Sequence, residues 1–360
     1  MATAVTRKRA YLIGLGMAIF PIHNAWLAKV TSINGEAILF LPVFGSIIII
    51  LATLFYLRDH YKELDWGDKR VYIPLLVIVA AISTSGLTSC LMGVSLFALY
   101  LVSRNLGKDM FKPLAIGAVI ASIGVLISGI INPGKLTGGL VFENNYDIVV
   151  GYVLLGAVLF INRYQWLLIG LALAAMLVSK SPEGLFAVGV MSLVVLLRRD
   201  WGKKLVLIIA PAIIVLVLFA GSGLFSYAKQ IINFETTMSI SGEEPRSAIG
   251  YRLWVIEEAM TNLNPLGTGY NLTAFFKDIV HNVPLIIVQQ LGIPGILAAI
   301  AWVWVTIWCL VKTKWKYAFA LILTLSVWDH YVWTQLAPYW WALTGVATAS
   351  NIKSDLIFKE

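Results

Sequence analysis

Four basic residues of this chain lie where membrane proteins rarely keep positive charge. Lys135, Lys180, Arg246 and Arg252 occur in polar segments between long apolar runs, and the topology derived below places them on the outer side of a membrane. Basic residues are normally concentrated on the cytoplasmic side, so cations on the other side indicate a specific anionic partner. Because ammonium and guanidinium groups form charge-assisted hydrogen bonds with phosphate oxygens, the sequence predicts a binding site for an anionic, diphosphate-type substrate at the outer face.

The composition excludes an ordinary soluble domain. The chain is 59% hydrophobic and 13% charged, with a mean hydropathy of +0.84, whereas soluble domains are about one quarter charged. Apolar runs long enough to cross a bilayer as helices recur, and they lack the alternation of a transmembrane β-barrel. The net charge of +8 reflects cytoplasmic loops and does not indicate nucleic-acid binding. Cys90 and Cys309 predict buried thiols, and no metal-ligand spacing or disulfide framework is present.

The elements that would position the four cations are twelve transmembrane helices. Arg7, Lys8 and Arg9 precede the first apolar run, and no convincing cleavage site follows, which predicts an uncleaved first helix. The predicted fold class is an all-α polytopic membrane protein. Its spans lie near residues 10–28, 37–57, 71–84, 88–103, 114–132, 148–162, 164–179, 184–198, 203–221, 285–310, 317–331 and 336–350.

The distribution of charge supports an even number of spans. With a cytoplasmic N-terminus, twenty of the 27 Lys and Arg fall in inside loops, as the positive-inside rule requires, and both termini are cytoplasmic. The chain then divides into nine spans over 1–221, a large outer loop over 222–284, and three spans with a cytoplasmic tail over 285–360. The basic residues left outside are Lys29, Lys135, Lys180, Lys229, Arg246, Arg252 and Lys277.

The outer loop contains an amphipathic helix. Ile249, Leu253, Ile256 and Met260 repeat at helical spacing and form one apolar stripe. Such a helix lies on the membrane surface or packs over the helix bundle. The Asn-Pro pair that begins at residue 264 ends the helix, and the glycines that follow it predict a turn.

Motif-like residues follow one another along the second half of the chain. They are Gly138 to Asn145, Ser179-Lys180-Ser181, Arg252-Leu-Trp254, Asn264-Pro265-Leu-Gly267-Thr-Gly269-Tyr270, His281-Asn282, Gln290-Leu-Gly292-Ile-Pro294-Gly295 and Asp329-His330-Tyr331. In this order they resemble the O-antigen ligase and O-antigen polymerase family, which are bacterial membrane glycosyltransferases of GT-C-like architecture with one large outer loop. The matching motifs span residues 135–335, and residues 1–100 match only in hydropathy.

The resemblance implies an activity for the outer face. The donor would be an oligosaccharide linked to polyprenyl (undecaprenyl) diphosphate, and the acceptor a hydroxyl of a glycan or lipid. His281 would take the proton from this hydroxyl while the hydroxyl oxygen attacks the anomeric carbon. An unperturbed histidine pKa of about 6.5 suits a general base. Arg252 would neutralise the departing diphosphate. The reaction is expected to invert the anomeric centre without a metal or cofactor, in the bacterial inner membrane.

Further site residues follow from the same resemblance. Arg246, Lys180 and Lys135 would join Arg252 in binding the diphosphate. The last two stand where the family has arginine, and lysine keeps the charge but loses the bidentate geometry. Residues expected to support the site are Asn145, Trp254, Tyr270, Asn282 and His330.

Structural roles compete with each of these assignments. The arginines can contact lipid phosphates, Lys180 can extend to the interface from the end of a span, and His281 can cap or pack a helix. The tryptophans predict an interfacial belt, although Trp254, Trp333 and Trp340 could stack on sugar rings. A transporter is the main rival. Such proteins usually carry ionisable residues near the bilayer midplane or have broken helices around a central site, whereas the predicted spans are almost free of charge at their centres. Ligase, polymerase and protein glycosyltransferase remain open alternatives.

Overall fold

The computed structural model describes the two ends of the chain and little of its middle. The described residues are 4–19, 32–33, 36–37, 40–107, 109–110, 113–114, 255–257, 259, 261, 263–270, 280, 282–313, 315–328, 330–334 and 336–349. Their helices are α1 (Ala4–Ile19), α2 (Phe40–His60), α3 (Lys69–Ser83), α4 (Leu87–Leu106), α5 (Val283–Lys312), α6 (Lys316–Trp328) and α7 (Ala337–Thr348). A 3-10 turn covers Tyr61–Glu63, and the two-residue strands Ser32–Ile33 and Glu36–Ala37 pair antiparallel.

These helices agree with the predicted spans of the described part of the chain. Each begins and ends within a few residues of its predicted span, except that α1 lies earlier than 10–28. Among the described residues, α4 and α5 are long and apolar enough to cross a membrane, with hydropathies of 1.5 and 2.0, and α6 contains a shorter apolar stretch. A helical membrane protein is therefore supported. The spans predicted over 114–132, 148–162, 164–179, 184–198 and 203–221 lie wholly or almost wholly outside the described residues.

Helices α3 and α5 are joined where a proline leaves a carbonyl free. Pro74 has no N–H, so the carbonyl of Arg70, four residues earlier, loses its helical donor. The indole Nε1 of Trp304 in α5 donates to this carbonyl at 2.9 Å. The Arg70 guanidinium also lies over the ring of Trp308, 5.8 Å from its centroid. A single proline thus creates the acceptor that ties two helices together.

Helix α7 packs closely against α4 and α5. A Cβ on Gly345 would lie 2.4 Å from the carbonyl oxygen of Tyr100 in α4, so only glycine permits this approach. On its other side α7 stacks Trp340 on Trp302 of α5, with ring centroids 5.6 Å apart. The Trp340 indole donates to the hydroxyl of Thr306 at 3.1 Å. Aromatic packing and one satisfied polar pair therefore fix α7 in the core.

One end of the bundle is fastened by charged side chains. Arg104, near the end of α4 and buried, forms an ion pair of 2.7 Å with Asp65 and donates to the carbonyl of Thr348, the last residue of α7. Gly67 has φ +87, and a Cβ there would lie 2.6 Å from the guanidinium carbon. We call Asp65, Gly67, Arg104 and Thr348 the basic-end lock, because it connects the α2–α3 loop to the ends of α4 and α7.

Further basic residues surround this lock. Arg9 of α1 bonds Asp59 at 2.6 Å and so joins α1 to the end of α2. Asp68 caps α3 by accepting from the N–H of Arg70 at 2.9 Å, and its carboxylate pairs with the Arg70 guanidinium at 2.5 Å. Arg70 lowers the pKa of Asp68 to about 2. The end of the bundle that contains the lock therefore concentrates positive charge, and Arg9, Arg70 and Arg104 each pair with an aspartate there.

Helix α5 covers the span predicted over 285–310 and is broken near its start. Gly292 has φ 63 and ψ −138, outside the helical region, and separates a short first segment from a long second one. Pro294 follows two residues later and removes a further helical donor. The longer, second segment of α5 begins at this break. The break lies at the opposite end of α5 from Trp304 and hence from the basic-end lock.

Candidate functional site

Three of the predicted site residues fall within the described part of the chain: Tyr270, Asn282 and His330. All three lie around the broken end of α5. The other predicted site residues lie outside the described residues; these are His281, Arg252, Arg246, Lys180, Lys135, Asn145 and Trp254.

The segment 264–270 forms the turn that its sequence predicts. The side-chain oxygen of Asn264 accepts from the N–H of Leu266 at 3.0 Å, and its amide donates to the carbonyl of Gly267 at 3.0 Å. The N–H of Gly267 returns to the carbonyl of Asn264 at 2.9 Å. Gly267 and Gly269 have φ values of 74 and 97, which favour glycine. Asn264 therefore shapes the turn with its own side chain.

This turn supplies the hydrogen bonds that the break in α5 leaves unmade. In an unbroken helix the carbonyls of Gln289 and Gln290 would accept from residues 293 and 294. Residue 294 is proline, and Ile293 donates instead to the carbonyl of Pro265 at 2.9 Å. The N–H of Thr268 bonds the Gln289 carbonyl at 3.1 Å, and that of Gly269 bonds the Gln290 carbonyl at 2.9 Å. The loop and the helix thus exchange three backbone bonds.

Two glycines make this contact possible. A Cβ on Gly267 would lie 2.2 Å from the carbonyl oxygen of Gln290, and a Cβ on Gly292 would lie 2.1 Å from that of Pro265. Both clashes are with backbone atoms, which cannot move aside as a flexible side chain can. We call the contact of residues 264–269 with the break at Gly292 the glycine clasp. It brings together two of the motif segments on which the family resemblance rests.

A buried aromatic cluster supports the clasp from the side of α7. Trp333 donates from Nε1 to the side-chain oxygen of Gln290 at 2.8 Å, and both side chains are buried. Tyr270 packs edge-on against Trp333, with centroids 5.3 Å apart. The Tyr270 hydroxyl is buried without a hydrogen-bond partner among the described residues, and burial raises the pKa of Tyr270. At neutral pH this phenol is protonated and serves as part of the packing.

His330 is buried beside this cluster. It is 5% exposed, and its Nδ1 lies 3.2 Å from the Thr334 hydroxyl. Its ring meets that of Tyr331 edge-on at 4.8 Å, and its carbonyl accepts from the N–H of Trp333 at 2.9 Å. The structure therefore places His330 in the turn that positions Trp333, and its role in supporting a functional site stays a prediction.

Asn282 is the N-cap of α5. Its side-chain oxygen accepts from the N–H of Leu285 at 3.2 Å, and its amide donates to the carbonyl of Val327 near the end of α6 at 3.2 Å. Both bonds are structural, and an N-cap of this kind contributes about 1 kcal/mol. Val280 on the other side of residue 281 is fully buried, and its N–H lies 3.4 Å from the Gln289 side-chain oxygen. The two sequence neighbours of His281 are therefore both anchored on α5 or α6.

The described part of the loop helix lies against the first segment of α5. Positions 255–257, 259 and 261 are helical, and Val255 is buried. A small apolar crevice separates the two elements and is lined by Ile256, Ala259, Leu263, Leu285, Val288 and Gln289. Ile256 belongs to the stripe that predicted an amphipathic helix. The helix was expected either to lie on the membrane surface or to pack over the helix bundle. Its described part packs over the bundle.

Two tryptophans that could have stacked on sugar rings lie in the core instead. Trp333 and Trp340 are each 1% exposed. Hydropathy assigned them to the membrane interface, whereas hydrogen bonds to Gln290 and Thr306 allow their indoles to be buried.

Sequence reasoning missed Gln290 and Trp333 as a bonded pair. A glutamine in an apolar run was the available signal, because a buried amide requires a partner. Within the described residues no group of three His, Cys, Asp or Glu side chains could hold a metal ion. Comparison with known proteins adds no assignment: no protein-family model matches the chain, and no curated protein is similar to it in sequence.

Proposed function

We propose that this protein is a membrane glycosyltransferase. It transfers an oligosaccharide from a polyprenyl diphosphate carrier to an acceptor hydroxyl at the outer face of the bacterial inner membrane, in the manner of an O-antigen ligase. The observation that carries the proposal is the glycine clasp. Two motif segments of the family-like set, 264–269 and 290–293, are separate in sequence and in direct contact in the fold.

The clasp also bears on the two residues that would perform the chemistry. Arg252 lies three residues before Val255, within about 11 Å of extended chain, and the Cα of His281 is about 3.8 Å from that of Asn282. Val255 is buried in the helix beside α5, and Asn282 caps α5. Ile256, which follows Val255, and Leu285, which Asn282 caps, line the same crevice. Both anchors therefore lie beside the first segment of α5, and this supports a shared site for the guanidinium of Arg252 and the imidazole of His281.

The reaction proceeds as one displacement at the anomeric carbon. The acceptor hydroxyl gives its proton to His281 while its oxygen forms the new bond to carbon. The bond from this carbon to the diphosphate oxygen breaks, and the electron pair leaves with polyprenyl diphosphate. Arg252, with Arg246, Lys180 and Lys135, balances the charge that develops on the leaving group. Attack opposite the leaving group inverts the anomeric configuration.

The topology belongs to the same proposal. Twelve spans with both termini in the cytoplasm place the outer loop over 222–284, and with it the site, on the side where lipid-linked glycans are presented. The basic-end lock would then face the cytoplasm, in keeping with the positive-inside rule. Polymerase activity uses the same chemistry with a second carrier-linked glycan as acceptor, so the accepted hydroxyl distinguishes it from a ligase.

A lipid-linked glycan transporter is the second candidate, and the break in α5 favours it. Transporters commonly build substrate sites from discontinuous helices. The break here is filled by the loop through three backbone bonds, which leaves fewer free backbone groups for a transported substrate. We therefore rank transfer above transport.

The test measures glycan transfer by the full-length protein in lipid nanodiscs with a polyprenyl diphosphate-linked oligosaccharide, in the presence of a chelator. His281→Ala is expected to lower turnover by about 100- to 10,000-fold, the range for a general base. Arg252→Lys is expected to lower it by about 10- to 100-fold, because a bidentate charged contact is lost. His60→Ala is the matched control, since His60 ends α2 beside Tyr56 at the basic end.

The outcomes separate the candidates. Transfer that resists the chelator and requires His281 supports the proposal. Normal turnover in His281→Ala or Arg252→Lys would remove that residue from the mechanism. Donor movement across proteoliposomes, without transfer to lipid, glycan or peptide acceptors, would replace transferase with transporter.

A further inference from the structure

The glycine clasp is a contact between backbones, with no side chain between them. Gly267 and Gly292 face each other, and a Cβ on either would lie within 2.2 Å of a carbonyl oxygen of the other segment. The three exchanged bonds run in both directions, from loop to helix and from helix to loop. Such a contact has little freedom to slide, because a displacement along α5 would break all three bonds together.

The elements on either side of the clasp lead to the proposed chemistry. Ile256, Ala259 and Leu263 precede it and line the crevice against Leu285 and Val288 of α5. Asn282 begins the segment of α5 that ends at the break. Arg252 and His281 each lie within a few residues of these elements in sequence. The glycine clasp therefore fixes the elements that are adjacent in sequence to Arg252 and to His281.

We propose that Gly267 and Gly292 are positioning residues, whose backbone contact holds the segment that leads to Arg252 and the two sequence neighbours of His281 in one register for glycosyl transfer. The proposal rests on the transferase function proposed above. Neither glycine touches substrate. Their effect is expected on turnover, since a displacement of about 1 Å can lower a rate by about 100-fold.

The experiment compares three alanine variants of the full-length protein in lipid nanodiscs. Gly292→Ala and Gly267→Ala place a methyl group against backbone atoms of the other segment. Gly269→Ala is the matched control: Gly269 also has a positive φ, +97, but a Cβ there meets nothing within 4 Å. It introduces the same kind of backbone strain in the same loop without the clash. It also keeps the N–H that bonds the Gln290 carbonyl.

Two readouts are taken for each variant. Steady-state kinetics separate kcat from the KM for the donor. Hydrogen exchange reports the protection of the amides of Thr268, Gly269 and Ile293, which form the clasp bonds. We expect Gly292→Ala and Gly267→Ala to lose about 100-fold in kcat, with a much smaller change in KM and faster exchange at these amides. Gly269→Ala should lose less than about tenfold in kcat.

A milder variant keeps the test decisive where a clash prevents folding. Asn264→Ala removes the two side-chain bonds that shape the turn and adds no atoms. It should lower kcat less than Gly292→Ala while increasing exchange at the same amides, and wild-type kcat with faster exchange would overturn the positioning role. Equal losses of kcat in Gly269→Ala and Gly292→Ala would also overturn it. A wild-type protein without transfer overturns the function itself, whereas active wild type with unaffected clasp variants overturns only this inference.

Discussion

The two ends of the described bundle are fastened by different means. At the basic-end lock a buried guanidinium joins three elements through an ion pair of 2.7 Å with Asp65 and a bond to the carbonyl of Thr348. At the glycine clasp, loop and helix meet through three backbone bonds, and the supporting side chains, Gln290 and Trp333, are neutral. The basic-end lock is broken by removing the Asp65 carboxylate, whereas the glycine clasp is broken by adding a methyl group to Gly267 or Gly292. The clasp end thus achieves a fixed geometry without charge of its own.

This difference suits the proposed chemistry. A site that binds a diphosphate needs its cations free for the substrate, and an internal ion pair would compete for them. At the basic end, Arg104 already pairs with Asp65, and Arg70 pairs with Asp68. The elements that would hold Arg252 and His281 are instead fixed by backbone bonds and aromatic packing. The predictions below test this division between a charged end and a neutral end.

The largest effect on stability is expected from Asp65→Ala. Removing the carboxylate leaves the buried Arg104 guanidinium without this ion pair. Breaking a fully buried pair costs about 3–5 kcal/mol. Since the Asp65 side chain is 47% exposed, we expect a smaller loss of about 2 kcal/mol in the free energy of unfolding. Thermal unfolding in detergent, followed by tryptophan fluorescence, measures it.

Two comparisons control this prediction. Glu63→Ala removes an exposed carboxylate from the same loop and should change the free energy of unfolding by less than about 0.5 kcal/mol. Glycan transfer per folded Asp65→Ala molecule should equal that of the wild type, because the lock lies at the other end of α5. Lost transfer at full stability would show that the two ends are coupled.

A smaller effect is expected from Trp333→Phe at the clasp end. Phenylalanine keeps an aromatic ring beside Tyr270 but removes the indole N–H that bonds Gln290 at 2.8 Å. Trp302→Phe is the matched control, because Trp302 is equally buried and its Nε1 has no hydrogen-bond partner among the described residues. The excess loss in Trp333→Phe should be about 1 kcal/mol, the net contribution of one such bond. Equal losses in the two variants would mean that this bond does not stabilise the clasp end.

The sequence predicts the separate elements of the clasp better than their contact. Asn264 and the glycines after it correctly predict a turn, because side-chain capping and positive φ are local properties. The break at Gly292 is not predicted, since hydropathy treats one glycine and one proline in a long apolar run as tolerable. The binding of the 264–269 loop to this break depends on hydrogen bonds between segments that are distant in sequence. No local pattern contains that information.

Burial of the tryptophans is unpredictable for a related reason. Hydropathy places indoles at the membrane interface, where water satisfies the N–H. Trp304 follows this expectation in part, being 52% exposed while its N–H bonds the carbonyl freed by Pro74. Trp333 and Trp340 are buried because Gln290 and Thr306 supply acceptors inside the bundle. Whether an indole is interfacial or internal therefore depends on a partner that only the fold brings near.

The smallest effect, and the sharpest contrast between the two ends, is expected on acidification. The Arg70 guanidinium lowers the pKa of Asp68 from 3.8 to about 2. A carboxyl group whose pKa is lower in the folded state stabilises the fold above its unfolded pKa and loses that contribution as the pH falls through the folded pKa. The Asp68–Arg70 pair should therefore stabilise the start of α3 above about pH 4 and cease to do so near pH 2. Because the Arg70 side chain is 60% exposed, solvent screens the pair and the effect is modest.

Asp68→Asn isolates this contribution. Asparagine still accepts the capping bond from the N–H of Arg70 but has no charge to lose. Amide exchange of the first turn of α3, measured between pH 4 and pH 2 and corrected for intrinsic rates, should become faster with acid in the wild type and less so in Asp68→Asn. The clasp amides of Thr268, Gly269 and Ile293 should keep their protection in both, because their acceptors are backbone carbonyls, which do not titrate. Clasp amides that lose protection over this range would show that the neutral end depends on a carboxylate, and the division between the ends would not hold.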